Sequence, residues 1–165
     1  MWVILKFERK KLSLLRKDFL VKLGGVPKYY LPKLKIQKYS KNKLYDKEIL
    51  LLGDYMLCFH SAFVNKSTIE LVKYCKGVKY FLNGFSKSQI EIERFINKCK
   101  SNEDDKGYIK QSFFDFGSKK RFKFLSGPFT NEIFNIIQEN QFKIKASVGN
   151  FNTIISKEDY LYSPI

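Results

Sequence analysis

The sequence predicts an α+β fold in two parts: an N-terminal antiparallel sheet with flanking helices over residues 1–100, and a small C-terminal β-barrel over residues 113–165, joined by a linker at 101–112. Three observations carry this expectation. Helical periodicity alternates with short β-rich runs as far as Cys99. Ser101-Asn102-Glu103-Asp104-Asp105-Lys106-Gly107 holds no apolar residue and ends in glycine, the composition of a polar tether. Beyond Tyr108 the chain returns to short strand-like runs separated by turn residues.

Trp2 to Phe7 is the first β-rich run. From Lys11 to Leu23, Leu12, Leu15, Phe19 and Leu23 recur at spacings of three and four, which predicts an amphipathic helix stopped by Gly24-Gly25. Val26 to Leu34 reads as extended, and the basic stretch to Lys47 as a hairpin or loop turning around Ser40-Lys41-Asn42. Leu50 to Phe63 is strand-rich. Ser67-Thr68-Ile69-Glu70 fits a capping box with Ser67 as N-cap, opening a helix to about Cys75. Val78 to Leu82 is a strand, and a helix from Ser88 or Gln89 places Ile92, Phe95, Ile96 and Cys99 on one face. This β-α-β-β-α-β-α order implies an antiparallel sheet backed by helices. In the second part, strands are expected at Arg121–Leu125, Phe134–Gln138, Phe142–Val148, Asn152–Ser156 and Tyr160–Tyr162.

Composition narrows the function classes. Apolar residues make up 44% of the chain, ample for a packed core. No apolar run approaches the roughly 20 residues a membrane-spanning helix needs. The opening Met1-Trp2-Val3-Ile4-Leu5 turns basic only afterwards, the reverse of a secretory leader, so a cytoplasmic protein is expected; separately, a monomer is expected. Cys58, Cys75 and Cys99 are too far apart for a metal knuckle and read as buried thiols. His60 is the only histidine, so a zinc site or a Ser-His-Asp triad would rest on that one residue, which reads instead as a strand-end polar side chain. With no paired carboxylates and no phosphate-cradling glycine loop, neither an enzyme, a metal nor a cofactor is expected. The net charge of +15 favours an anionic partner. Because lysine outnumbers arginine 27 to 4, part of that charge reflects AT-rich codon usage.

Four segments, in order, resemble the NusG/RfaH family of transcription elongation factors. Trp2-Val3-Ile4-Leu5 before an amphipathic helix is similar to the opening of the NusG N-terminal (NGN) domain. Leu51-Leu52-Gly53-Asp54-Tyr55-Met56-Leu57 matches the family's Phe-Phe-Pro-Gly-Tyr-Val-Leu, with the tyrosine kept as Tyr55. Lys76-Gly77-Val78-Lys79-Tyr80-Phe81-Leu82-Asn83-Gly84 resembles its Gly-Val-x-x-Phe segment. Ser126-Gly127-Pro128-Phe129 resembles the Gly-Pro-Phe turn of the SH3-like KOW barrel. Two departures point toward a specialised RfaH-like paralog. Gly53-Asp54 replaces Pro-Gly, and the glycine expected after the Gly-Pro-Phe turn is missing, with Phe134 and Asn135 near its place.

The resemblance implies a factor that binds RNA polymerase and suppresses pausing or termination. The contact to the clamp helices of the largest subunit would be made through an apolar depression on the N-terminal domain, carried here by Trp2, Leu52, Tyr55, Leu57 and Phe81. For Trp2 and Leu57 a core role is equally open, because strands alternate faces. Asn65, Ser67 and Thr68 fall where contacts to the gate loop of the second-largest subunit would lie, although Ser67 fits a capping role better. Lys28, Lys33, Lys35, Lys38, Lys41 and Lys43, interleaved with Tyr29, Tyr30 and Tyr39, would touch non-template or upstream DNA by charge and base stacking. A simply solvated basic loop is the competing reading. Phe129, Val148, Asn150 and Phe151 match the KOW surface that recruits Rho or a ribosomal small-subunit protein. In RfaH-type relatives the second domain can fold as a helical hairpin, and Ile133, Phe134, Ile136 and Ile137 have spacing compatible with either state. The alternatives are a general NusG-type factor supporting Rho-dependent termination and a ribosome-associated nucleic-acid-binding module.

Overall fold

The computed structural model describes residues 1–40, 43–114, 117 and 119–165, the side chains of Tyr39 and Ser40 falling outside that set. The chain forms two compact units: Met1–Pro32 with Leu50–Lys98, and Lys33–Ile49 with Cys99–Ile165.

In the first unit, β1 (Trp2–Phe7), β2 (Lys28–Tyr30), β5 (Tyr55–Phe59) and β6 (Val78–Phe81) make an antiparallel sheet in the order β2-β5-β1-β6. The two-residue period of β1 sends Val3, Leu5 and Phe7 to a fully buried face, and Trp2, Ile4 and Lys6 to the other. The buried face meets α1 (Leu12–Leu23) and α2 (Lys66–Val72), whose Leu15, Phe19, Leu23 and Val72 complete a core with Met56, Cys58 and Phe63. The opposite face is covered in part by α3 (Gln89–Ser101) through Ile92 and Ile96. Gln89 fixes that helix to the sheet where β6 no longer pairs with β1. Its amide oxygen accepts from Trp2 N–H at 2.8 Å, and its amide nitrogen donates to Trp2 C=O at 2.8 Å.

Two local expectations change. The N-cap of α2 is Asn65, two residues before Ser67, and no side chain caps it. Ser67 lies inside the first turn, so the expected capping box does not form. His60 does serve a local polar role, its Nδ1 accepting from Ala62 N–H at 3.3 Å. Cys58, Cys75 and Cys99 are buried free thiols, and burial pushes the Cys58 thiol up to about 12.

In the second unit, β7 (Arg121–Phe124), β8 (Ile133–Glu139), β9 (Lys143–Val148), β10 (Phe151–Ser156) and β11 (Tyr162–Pro164) form an antiparallel sheet in the order β10-β9-β8-β7-β11. Its core is aromatic: Phe134 stacks on Phe124 at 4.3 Å and on Phe122 at 5.6 Å, with Tyr162 edge-on at 5.5 Å. The basic stretch becomes a two-stranded hairpin, β3 (Lys33–Ser40) and β4 (Lys43–Leu50). It joins this unit through Gln37, whose N–H donates to Leu125 C=O at 2.7 Å and whose amide oxygen accepts from Gly127 N–H at 2.6 Å. Lys41 and Asn42, where the sequence places the turn, lie outside the described residues.

Residues 101–112, read from composition as a tether, are built into the second unit. Ile109 is buried and its N–H donates to Lys33 C=O, while buried Gln111 accepts from Tyr162 N–H at 2.8 Å. Apolar Ile109 and the amide of Gln111 supply the anchors that the polar run before them lacks.

Asn131 has φ 76°, the one left-handed non-glycine among the described residues. It sits four residues after Gly127 in the loop leading to β8. Asparagine tolerates that region better than other side chains, though less well than glycine. Asn131→Gly is expected to be neutral to about 1 kcal/mol stabilising, and Asn131→Val destabilising by about 1–2 kcal/mol, in urea unfolding.

Candidate interaction surface

The face of the first sheet that α3 leaves partly uncovered is a hollow of about 430 Å³. Its walls are Ile4, Leu52, Tyr55, Leu57, Leu82, Ile92 and Phe95, with Ser88 and Glu91 at the helix side. The register explains the convergence. Ile4 stands opposite Leu57 in the β1–β5 ladder, and Leu82 N–H, just past the end of β6, donates to Ile4 C=O at 2.8 Å, so two adjacent strands and the residue following a third contribute one apolar side chain each to one spot. Ile92 and Phe95, three apart on α3, close the opposite wall. Leu57 is almost wholly buried and forms the floor.

Tyr55 stands at the rim. Its hydroxyl is 2.7 Å from that of Tyr80, and Lys6 Nζ lies 5.4 Å from the Tyr55 ring and 5.8 Å from the Tyr80 ring. The hydrogen bond between the two phenols raises the pKa of Tyr55, whose hydroxyl can both donate and accept. Just before it, Asp54 gives a physical account of the departure from Pro-Gly. Its carboxylate accepts from Arg9 Nε at 2.7 Å, while its backbone C=O accepts from Phe7 N–H at 2.9 Å. These bonds pin the β5 entry to the end of β1.

Of the sequence-derived contact residues, Leu52, Tyr55 and Leu57 line the hollow. Trp2 packs beside it, against the Leu57–Ile92 cluster and 5.3 Å from the Phe59 ring. Phe81 does not belong: it pairs with Leu5, shares its face, and packs on the opposite core at 6.4 Å from Phe63. The side chain next to it, Leu82, takes the place expected of Phe81. Ile4, Ile92 and Phe95 were missed as site residues, although the alternation Trp2-Val3-Ile4 was a usable signal. Asn65, Ser67 and Thr68 sit at the start of α2, with Asn65 and Ser67 exposed and Thr68 half-buried.

The aromatic-and-lysine stretch comes apart. Tyr29 faces the core of the first unit, its hydroxyl buried without a hydrogen-bond partner among the described residues and its phenol pushed well up by burial. Tyr30 packs against the Leu57 cluster. Both rings are partly buried against these clusters. Lys33 pairs with Glu48 at 3.2 Å and Lys35 with Asp46 at 2.6 Å across the hairpin, so their charge is locally compensated. Lys28, Lys38 and Lys43 remain exposed, and Lys41 lies outside the described residues.

In the second unit, Gly127 (φ 87°) shapes the Gly-Pro-Phe turn, and a Cβ there would fall 2.2 Å from the Tyr160 ring. The turn presents half-buried Phe129 at 6.0 Å from the exposed Phe151, with Asn150 exposed nearby in the β9–β10 turn. Val148 is only 2% exposed and belongs to the core, since it faces inward opposite Phe134. The structure thus joins Phe129 and Phe151 and withdraws Val148 from that surface.

No family model matches the sequence, and no curated protein matches it. Among solved structures, the crystal structure of an MjSpt4:Spt5 complex in conformation B aligns over 100% of this chain and 98% of that chain, at 11% identity and a TM-score of 0.34. A structure describing domain interaction in Thermotoga maritima NusG aligns over 99% of this chain and 96% of that chain, at 15% identity and a TM-score of 0.32. Similarity at this level leaves what the hollow binds to its own side chains. Among the described residues no helix is long and apolar enough to cross a membrane.

Proposed function

We propose that this chain is a non-enzymatic transcription elongation factor of the NusG/RfaH type that seats the first unit's hollow on the clamp helices of RNA polymerase. The observation that carries the reading is the hollow itself: seven aliphatic and aromatic side chains meet at one exposed spot, framed by tyrosines and Lys6. Its shape suits a ridge of apolar side chains on a helical partner, each fully buried one contributing roughly 1.5–3 kcal/mol. Tyr55 supplies a polar handle at the edge.

A factor that grips the clamp on one side and the gate loop on the other favours the closed, elongating enzyme, because it binds that state better. Asn65, Ser67 and Thr68 are our candidates for the second grip. Phe129, Asn150 and Phe151 are those for recruiting Rho or a ribosomal protein to the barrel-like second unit. The Gly53-Asp54 replacement and the glycine missing near Phe134 and Asn135 support suppression of pausing or termination over Rho-dependent termination.

The test is transcription in vitro across a pause site and a Rho-dependent terminator, with polymerase affinity measured alongside. Pause half-lives and termination should both fall with the wild-type chain. Tyr55→Ala should weaken binding about tenfold, and Leu82→Asp at least about 100-fold, as an unpaired charge is driven into an apolar contact. Rho-dependent termination that rises with the protein would assign it to the general class. Wild-type affinity in Leu82→Asp would remove the hollow from the account.

A further inference from the structure

We propose that Asn83-Gly84 is a site of spontaneous deamidation whose products alter one wall of the first unit's hollow. Asn83 is the one asparagine in the chain that is followed by glycine. Without a Cβ, Gly84 leaves its own backbone nitrogen open to the preceding side chain. The step is an intramolecular acyl transfer, favoured because both reacting groups sit on neighbouring residues. The Gly84 nitrogen gives its proton to hydroxide and attacks Cγ of Asn83. The Cγ–Nδ2 bond breaks, and the amide nitrogen leaves as ammonia with a proton taken from water. Water then opens the cyclic imide at either carbonyl. Opening at Cγ leaves aspartate at position 83, and opening at the backbone carbonyl leaves isoaspartate, whose main chain is longer by one methylene carbon.

The turn leaves both reacting groups unengaged. β6 ends at Phe81, so Asn83 and Gly84 fall just beyond it, and both are exposed. Gly84 has φ 83°, and nothing lies within 4 Å of where a Cβ would stand. Among the described residues, neither the Asn83 amide nor Gly84 N–H has a hydrogen-bond partner. Asn140 shows the opposite case. Its Oδ1 accepts from Phe142 N–H at 3.0 Å and from Lys143 N–H at 2.7 Å, which fixes the side chain. From Lys76 to Ile90 the chain carries three lysines and no carboxylate. That positive field favours both the amide anion that attacks and the carboxylate that forms.

The residues on either side are tied down. Leu82 lines the hollow, and its N–H donates to Ile4 C=O at 2.8 Å. Phe85 packs on both apolar clusters of the first unit. Its C=O accepts from the Gln89 amide nitrogen at 2.7 Å, the same nitrogen that donates to Trp2 C=O. Asn83-Gly84 is therefore the slack point between one wall of the hollow and the start of α3. Aspartate there sets a charge beside an apolar surface. Isoaspartate also lengthens the connection, which loosens the Leu82–Ile4 bond. The chemistry depends on this turn alone and not on what the hollow binds.

The test is peptide mapping by mass spectrometry of the full chain, aged folded at mildly alkaline pH beside a sample aged in urea. Isoaspartate is counted by enzymatic methylation. In the folded chain, position 83 should convert ahead of every other asparagine and give both aspartate and isoaspartate. Asn83→Gln should abolish both products at that position. Hydrogen exchange then reads the effect on the wall. In the isoaspartate fraction, protection of Leu82 N–H should fall about two- to tenfold, the worth of one backbone hydrogen bond. Asn83→Asp, which adds the charge without lengthening the chain, should keep Leu82 near its wild-type protection. Conversion at position 83 confined to the urea sample, earlier conversion of another asparagine in the folded chain, or unaltered Leu82 protection in the isoaspartate fraction would each overturn the proposal.

Discussion

Phe134→Ala is expected to destabilise the second unit by about 3–5 kcal/mol, the range for removing a fully buried phenylalanine. Phe134 is 0% exposed and meets Phe122, Phe124 and Tyr162 at ring distances of 4.3 to 5.6 Å, so three aromatic partners lose contact together. It also occupies the middle of the sheet, opposite Phe122 on one side and Val148 on the other. A domain of this size has only about 5–15 kcal/mol of stability, so the change takes a large share of it. Hydrogen exchange at the β7, β8 and β9 amides is the direct readout, with protection falling by that amount. Phe134→Leu should cost less than half as much, because leucine refills most of the space. Equal losses in the two variants would mean that ring stacking, rather than the cavity, dominates.

Gly77→Ala is the second large effect, expected to cost about 2–4 kcal/mol by combining a left-handed backbone with a steric conflict. Gly77 has φ 91°, and a Cβ there would stand 2.9 Å from Lys11 Cβ and 3.0 Å from the Lys11 carbonyl oxygen. The backbone on both sides is committed, since Glu8 N–H donates to Gly77 C=O at 2.8 Å and Val78 starts β6. Gly84 provides the control. Its φ is 83°, but nothing lies within 4 Å of an added Cβ, so Gly84→Ala should show only the backbone cost of about 1–2 kcal/mol. Urea unfolding followed by the fluorescence of Trp2, the single tryptophan, reports on this unit. A Gly77→Ala cost no greater than that of Gly84→Ala would show that the start of α1 yields freely.

Much of the fold was legible because its signals are local. The Leu12-Leu15-Phe19-Leu23 spacing, the β-rich runs and the return to short strands after Tyr108 each depend on near neighbours. What was not legible depends on pairing. Phe81 and Leu82 are adjacent and both apolar, so composition gives no sign of which one faces the hollow. Only the register Leu5↔Phe81 decides it. The aromatic character of Tyr29 and Tyr30 is visible in sequence, while their partial burial against the two clusters is not. The compensation of Lys33 and Lys35 lies closer to the sequence: Glu48 and Asp46 stand at positions symmetric with those lysines along the hairpin. Val148 was read as loop surface, whereas the alternation Ile144-Ala146-Val148 marks it as core.

The central claim is that a helical polymerase element fills the hollow of the first unit. Methyl NMR of the full chain, titrated with an isolated clamp-helix hairpin, tests it most directly. The account predicts shifts concentrated at Ile4, Leu52, Leu57, Leu82 and Ile92, with Leu15 and Val72 on the far side of the sheet unmoved. Shifts confined to other surfaces, or none at saturating hairpin, would contradict it.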